Sequence, residues 1–235
     1  MASIYYQRIF VPGSFYHVYN RGAHQALLFR DAADYQTFTQ ILSYYLLHPL
    51  GTALSILARH KTDQRYQKNK DPIFVENHPP SHILLAYCLM PNHFHLMLKQ
   101  LNSDLTISDF MRRLSVTYAM YFNDKYHHSG TIMQGKYKNI LVENEYQWLY
   151  LSKYIHRNPL HIQEKQRSDL CKSLDEYPYS SYPNYLGKRN EKWVDTSLIL
   201  DRYHRAPFQE YRSFVEDGAE YGAIERQTID CNESQ

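Results

Sequence analysis

ILLAYCLMPNHFHLMLKQ, residues 83–100, decides the fold. Two apolar runs of strand length flank Pro91 and Asn92, which favour a tight turn, so the stretch predicts a β-hairpin. Strand side chains alternate between faces, and His93 and His95 therefore share one face of the returning strand. The core-facing residues of that strand are Phe94, Leu96 and Leu98. Two imidazoles side by side suggest a metal site, although the same spacing also occurs as two surface histidines.

The segments around the hairpin alternate between strand and helix signals. Residues 15–22 predict a first strand that ends at a glycine turn, and helical spacing of apolar residues predicts helices over 31–47 and 103–124. Residues 130–143 predict a strand interrupted at Gly135, and 143–159 a further helix. The order β-α-β-β-α-β followed by a helix predicts an α+β fold: a ferredoxin-like split βαβ sandwich with an antiparallel sheet.

The remaining segments predict decorations on this core. Residues 51–82 form a polar insertion rich in charges and prolines, expected to be a long, mobile surface loop. We expect a catalytic domain over residues 1–160 and a mostly helical C-terminal extension over 161–235, with a helix from about 195 to 226.

Composition narrows the class of protein. The chain has 235 residues, a formal net charge of +2 and 43% hydrophobic residues, and no apolar run approaches bilayer length. Nothing in the first ten residues has the pattern of a signal peptide, so a cytoplasmic location is expected. The chain has three cysteines, Cys88, Cys171 and Cys231. They are far apart in sequence and form no CxxC pair, which indicates a reducing compartment. The 23 tyrosines are typical of a protein that stacks bases, but most are expected to pack structurally.

One helix face carries a line of three tyrosines that ends at an asparagine. Tyr146, Tyr150, Tyr154 and Asn158 follow one another at intervals of four, and periodicity does not choose among the tyrosines. An amide oxygen at Asn158, combined with two imidazoles, makes a three-ligand site with open positions for a phosphate. That arrangement favours Tyr154, one turn earlier, as a nucleophile activated by a metal. Packing beside a helix end is the alternative for Tyr154 alone.

Four motifs in order resemble a known family. They are YHVYNRG, YCLMPNHFHLML, QGKYKNILVENEYQWLYLSKYIHRNPL and YPYSSY, running from about residue 15 to 182. Together they resemble the REP-associated tyrosine transposases, the single-tyrosine branch of the HUH (histidine, hydrophobic residue, histidine) nucleases. The resemblance implies that His93, His95 and Asn158 bind a divalent metal and that Tyr154 is the nucleophile. It also implies cleavage of single-stranded DNA beside imperfect hairpins, through a 5′-phosphotyrosine link that frees a 3′-hydroxyl.

The metal and the DNA contacts follow from general chemistry. Two imidazoles and an amide suit Mn²⁺, cellular availability favours Mg²⁺, and zinc is a further possibility in a purified sample; we expect Mg²⁺ or Mn²⁺. Six basic residues near the site in sequence, or on the neighbouring helix, are candidates for phosphate contacts: Arg112, Arg113, Lys136, Lys138, Lys153 and Arg157. Asn20 and Arg21 support a turn or touch DNA.

Three functions remain open from the sequence. The first is a metal-dependent single-strand DNA endonuclease and strand transferase, that is, a transposase acting on hairpin repeats. The second is a non-cleaving regulatory protein, derived from a transposase, that binds DNA hairpins. The third is a hydrolase that uses His93 and His95 to activate water. No membrane partner is expected, and the sequence leaves monomer and homodimer open.

Overall fold

A four-stranded antiparallel sheet forms the centre of the protein. The computed structural model describes residues 9–49, 79–162 and 170–217. The strands are β1 (Phe15–Arg21), β2 (His82–Met90), β3 (His93–Gln100) and β4 (Lys138–Val142), in the order β2-β3-β1-β4. Each neighbouring pair is antiparallel. The predicted α+β fold and the hairpin at residues 91–92 are therefore confirmed, whereas most of the predicted insertion at 51–82 lies outside the described residues.

Two helices cover one face of this sheet. Helix α1 (Ala32–Leu47) begins after Asp31, whose side chain accepts from the Asp34 amide, and α2 (Ile107–Tyr126) has the same capping box at Thr106 and Asp109. The apolar stripes of both helices meet the core-facing side of β3. The buried residues at this contact include Phe38, Leu42, Phe94, Leu96, Met111, Leu114 and Tyr118. The alternation predicted for β3 thus places its two histidines on the other face.

The opposite face carries α3 (Glu145–Arg157), followed by a 3₁₀ turn at Asn158–His161. Asn144 caps α3 by accepting from the Gln147 amide, and Glu145 near its start and Arg157 at its end suit the helix dipole. Pro159 lacks the N–H that would continue the α-helical hydrogen bonds, although Asn158 itself keeps a helical conformation and the chain goes on as the 3₁₀ turn. A second buried cluster includes Met97, Leu151, Tyr154 and Ile155. Consequently α3 lies directly over the face of the histidines.

The C-terminal residues complete this second cluster. They form a 3₁₀ turn (Leu174–Glu176) and three helices: α4 (Tyr182–Tyr185), α5 (Ser197–Leu200) and α6 (Pro207–Glu216). The single helix expected from about 195 is thus divided into α5 and α6 by the irregular residues 201–206, and Pro207 begins α6, where its missing N–H costs no helical hydrogen bond. Residues 218–226 of that expected helix lie outside the described residues. Buried Tyr177, Tyr185 and Tyr211 belong to the same cluster as Tyr154.

Candidate active site

His93 and His95 lie at the start of β3 beneath α3. Their rings are 5.0 Å apart and nearly perpendicular, and the Tyr154 ring meets the His95 ring edge-on at a centroid distance of 5.4 Å. All three residues belong to one chain. The helix and the strand therefore bring the predicted tyrosine to the predicted histidine pair of the same chain.

Asn158 points into the same group. Its Nδ2 donates to the Tyr154 carbonyl oxygen at 3.1 Å, which leaves Oδ1 facing the His93 Nε2 at 3.5 Å. At the other end of the His93 ring, Nδ1 lies 2.7 Å from the Asn92 Oδ1. These contacts fix both the Asn158 amide and the His93 ring. The lone pairs of the Asn158 Oδ1 and the His93 Nε2 are therefore directed towards the same point.

The two converging atoms fit a shared divalent metal. Ligands about 2.1 Å from a metal, at roughly right angles or slightly more, lie about 3.0 to 3.5 Å from each other. The separation of 3.5 Å between His93 Nε2 and Asn158 Oδ1 matches that spacing. Within the described residues no group of three or more His, Cys, Asp or Glu side chains is arranged to hold a metal. The candidate centre thus depends on an amide as its third donor.

Burial prepares both imidazoles for such a role. It lowers the pKa of His93 to about 4, against a smaller raising effect of the Asn158 hydrogen bond. Burial, together with the charges of His93 and His17, holds the pKa of His95 well below its ordinary value. Neutral imidazoles offer lone pairs to a metal at neutral pH.

A third imidazole at this site was missed by the sequence reasoning. His17 lies on β1, buried, with its Nε2 2.9 Å from the His95 Nδ1. Its ring also lies 6.1 Å from the Tyr154 ring. Because β1 pairs with β3 so that Tyr19 is opposite His95, His17 shares the histidine face. A histidine in an otherwise apolar and aromatic strand was the available signal, but only the strand register connects it to His95.

The other tyrosines of the α3 line lie away from the histidines. The Tyr150 ring packs against Phe214 of α6 at 5.3 Å and against Tyr146 at 4.3 Å, and Tyr146 is 58% exposed. The Tyr154 side chain, by contrast, is buried. Of the three tyrosines in this line, Tyr154 is therefore the one that lies beside the histidines.

A hydrogen-bonded chain anchors α3 to the C-terminal residues. The Ser181 Oγ lies 2.8 Å from the His156 Nε2, and the His156 Nδ1 lies 2.7 Å from the Tyr211 hydroxyl, which in turn donates to the Ser152 Oγ. The Tyr87 amide of β2 donates to the Ser181 Oγ. A neutral His156 satisfies this chain with one donor and one acceptor. These hydrogen bonds fix the segment of α3 that carries Tyr154, two residues before His156, against the C-terminal residues.

Among the predicted DNA contacts, Lys138 lies on the face of the sheet that carries the histidines. Lys138 is opposite Tyr19 in the β1–β4 pairing, with its Nζ 5.9 Å from the Tyr19 ring centroid, and the Tyr19 ring stacks near His95 at 5.7 Å. Lys136, two residues earlier, is exposed beside Gly135, which has a positive φ. Both lysines are exposed, and Lys138 lies on the face of the sheet that carries the histidines.

The four other predicted contacts lie elsewhere. Lys153 is buried and donates to the Asp217 carbonyl oxygen, and Arg157 donates to that of Val215, so both bind the end of α6. Arg112 and Arg113 belong to α2, on the face of the sheet opposite the histidines. Arg112 is exposed, and Arg113 donates to the Pro49 carbonyl oxygen.

The YNRG segment carries one buried and one half-buried polar side chain. The Asn20 side chain is buried and donates to the Gly135 carbonyl oxygen at 3.3 Å, which supports the turn reading. Arg21 is opposite His93 in the β1–β3 pairing and is hydrogen-bonded to Gln134. Gly22 is required sterically, since a Cβ there would lie 1.9 Å from the Ala26 carbonyl oxygen. Arg21 thus lies at the rim of the site.

Comparisons with known proteins agree with this architecture. Residues 63–158 match the family model described as "Transposase IS200 like", a range that includes His93, His95, Tyr154 and Asn158. This match confirms the resemblance to the tyrosine transposases. No curated protein matches the chain.

Two solved structures align with this chain over most of their own length. A structure described as the REP-associated tyrosine transposase bound to a REP hairpin covers 83% of this chain and 98% of its own, with 12% identity and a TM-score of 0.50. A candidate transposase from Deinococcus radiodurans R1 covers 64% of this chain and 95% of its own, with 16% identity and a TM-score of 0.34. The protein thus has the α+β fold of the first structure. Across the described ranges, no helix is long and apolar enough to span a bilayer.

Proposed function

We propose that this transposase-family protein is a metal-dependent single-strand DNA endonuclease and strand transferase that acts on hairpin repeats through a 5′-phosphotyrosine intermediate. The observation that carries the proposal is the contact of the Tyr154 ring with His95 at 5.4 Å, inside one chain, with Asn158 beside His93. A tyrosine, two imidazoles and an amide oxygen provide a nucleophile together with donors for a metal.

In this proposal His93, His95 and Asn158 would hold Mg²⁺ or Mn²⁺, which would supply Lewis-acid stabilisation of the negative charge on the scissile phosphate and the leaving oxygen. The Tyr154 phenol oxygen attacks phosphorus and releases its proton to water, which also supplies the proton that the leaving oxygen takes up. The bond from phosphorus to the 3′ oxygen breaks, and that oxygen takes up a proton to become the free 3′-hydroxyl. The 5′ phosphate stays linked to Tyr154, and attack by a 3′-hydroxyl on this link reverses the step and rejoins DNA.

The proposed DNA partner is single-stranded DNA that contains a hairpin. Support comes from the similar fold of a transposase described as bound to a REP hairpin. In this chain the exposed Lys136 and Lys138, with Arg21 at the rim, supply positive charge beside the histidines. Of the six residues expected from the sequence, the proposal keeps Lys136 and Lys138 and adds Arg21. Lys153 and Arg157 bind α6, and Arg112 and Arg113 belong to the far face. Tyr154 reaches its histidines in cis, so a monomer contains a whole site.

Formation of a covalent adduct tests the proposal. Purified protein is mixed with labelled hairpin oligonucleotides carrying single-stranded flanks, with Mn²⁺, Mg²⁺ or EDTA, and is resolved on a denaturing gel. We expect a metal-dependent protein–DNA band that Tyr154→Phe abolishes and the matched variant Tyr150→Phe retains. Binding without cleavage would favour the hairpin-binding regulator, and cleavage without an adduct would favour activation of water; either result overturns the proposal.

A further inference from the structure

His17 makes a specific contact with a proposed metal-binding histidine. The His17 Nε2 and the His95 Nδ1 are 2.9 Å apart, with ring centroids at 5.1 Å. Both side chains are buried, at 1% and 6% exposure, so water does not compete for this hydrogen bond. The contact joins β1 to β3, neighbouring strands in the middle of the sheet. It therefore belongs to the most constrained part of the fold.

We propose that His17 is a positioning residue that holds His95 in the tautomer with its proton on Nδ1, leaving the Nε2 lone pair for the metal. The inference rests on the proposed function in one respect, since it assumes that His95 is a metal ligand. The tautomer itself is a property of the metal-free protein. It can therefore be tested whether or not the protein cleaves DNA.

The position of one proton decides which nitrogen of His95 can bind a metal. A neutral imidazole has one N–H and one lone pair, and two nitrogens 2.9 Å apart must share a single proton between them. If the His95 Nδ1 donates, its Nε2 carries a lone pair and can bind a metal. If the His95 Nδ1 accepts, its Nε2 carries the proton and cannot. His17 must therefore act as the acceptor for His95 to serve as a ligand.

The surroundings of His17 fix its ring as well. It stacks on Tyr19 at 4.8 Å and meets the edge of the Tyr154 ring at 6.1 Å. Its Nε2 is already directed at His95, which places His17 behind that ligand. Hydrogen-bond partners behind a metal-bound histidine orient the ring, and their removal typically lowers metal affinity by about 10- to 100-fold.

Nitrogen NMR and metal binding test the proposal together. Full-length metal-free protein labelled with ¹⁵N is compared with the His95→Gln variant to assign the His95 ring nitrogens. We expect wild-type His95 to carry its proton on Nδ1 and His17→Phe to lose that preference. A His95 that carries its proton on Nε2 in the wild type would overturn the proposal.

Titration with Mn²⁺ followed by electron paramagnetic resonance supplies the second readout. We expect His17→Phe to bind Mn²⁺ about 10- to 100-fold more weakly and His17→Gln, whose amide oxygen can accept from His95, to recover part of the loss. The matched variant Tyr19→Phe keeps its ring beside His95 and should retain wild-type affinity. Equal affinity of the wild type and His17→Phe overturns the role of His17. Failure of the wild type to bind Mn²⁺ or form an adduct instead counts against the proposed function, while the His95 tautomer still decides the role of His17.

Discussion

His156 gives the protein a pH-dependent stability that can be worked out from its surroundings. The ring is fully buried, and its nitrogens contact the Tyr211 hydroxyl at 2.7 Å and the Ser181 Oγ at 2.8 Å. Burial, with a smaller effect of the Arg189 charge, lowers the pKa of His156 to about 3. In the unfolded chain the same group has a pKa of about 6.5. Below pH 6.5 the unfolded state therefore binds a proton that the folded state does not, and stability falls as the pH drops towards 3.

The size of this effect follows from the two pKa values. Between pH 7 and pH 5.5, protonation of His156 in the unfolded chain alone lowers the free energy of unfolding by about 1.2 kcal/mol. The variant His156→Gln has no such proton to bind. The buried histidines His82, His93 and His95 also have lowered pKa values, but they are present in both proteins and cancel in the difference. The wild type should therefore lose about 1.2 kcal/mol more than the variant over this range.

Urea unfolding of the metal-free protein at pH 7 and pH 5.5, followed by tryptophan fluorescence, measures the difference. Ser181→Ala is the matched control, because it removes a hydrogen bond of His156 and keeps the titrating ring. That control should be less stable at both pH values and should keep the wild-type pH dependence. An equal loss of stability in the wild type and His156→Gln would refute the reasoning.

Three further predictions concern the site and its supports. Lys138→Ala should lower the affinity for the hairpin and reduce the slope of log affinity against log salt concentration by about 0.8, because one phosphate contact is lost. Arg112→Ala should leave that slope unchanged. Equal slopes for the two variants, measured by fluorescence anisotropy, would show that Lys138 does not contact the DNA. Asn158→Ala should weaken Mn²⁺ binding, measured by calorimetry, and adduct formation. Asn158→Asp keeps an oxygen donor and should restore metal binding. Undiminished Mn²⁺ binding by Asn158→Ala would exclude the Asn158 amide as a ligand. Gly22→Ala should destabilise the fold by about 1 to 3 kcal/mol in urea unfolding, because its Cβ would overlap the Ala26 carbonyl oxygen, and an unchanged midpoint would contradict that steric argument.

Local signals were sufficient for most of the fold. Asp31 marks the start of α1, and Pro159 marks the end of α3, because capping and proline sterics act over a few residues. The hairpin at residues 91–92 followed from turn chemistry and alternation. The strand predicted over 130–143 is shorter, however, since Gly135 adopts a positive φ and regular pairing begins at Lys138. Such a boundary depends on where β1 offers hydrogen-bond partners.

The parts of the site that the sequence did not predict depend on contacts between residues that are far apart in the chain. His17 is 78 positions from His95, and only the register of β1 against β3 brings the two rings together. Lys153 and Arg157 look like surface cations on a helix, yet the end of α6 supplies carbonyl oxygens that bind them. In both cases the partner lies far away in sequence, where periodicity carries no information.

The central claim is that Tyr154 is the residue that becomes linked to DNA, and peptide mapping of the adduct tests it most directly. The protein–DNA adduct formed with Mn²⁺ is digested with trypsin and nuclease, and the modified peptide is sequenced by mass spectrometry. The account predicts a nucleotide attached through phosphate to Tyr154. A nucleotide on Tyr150, or on any residue other than Tyr154, would contradict it.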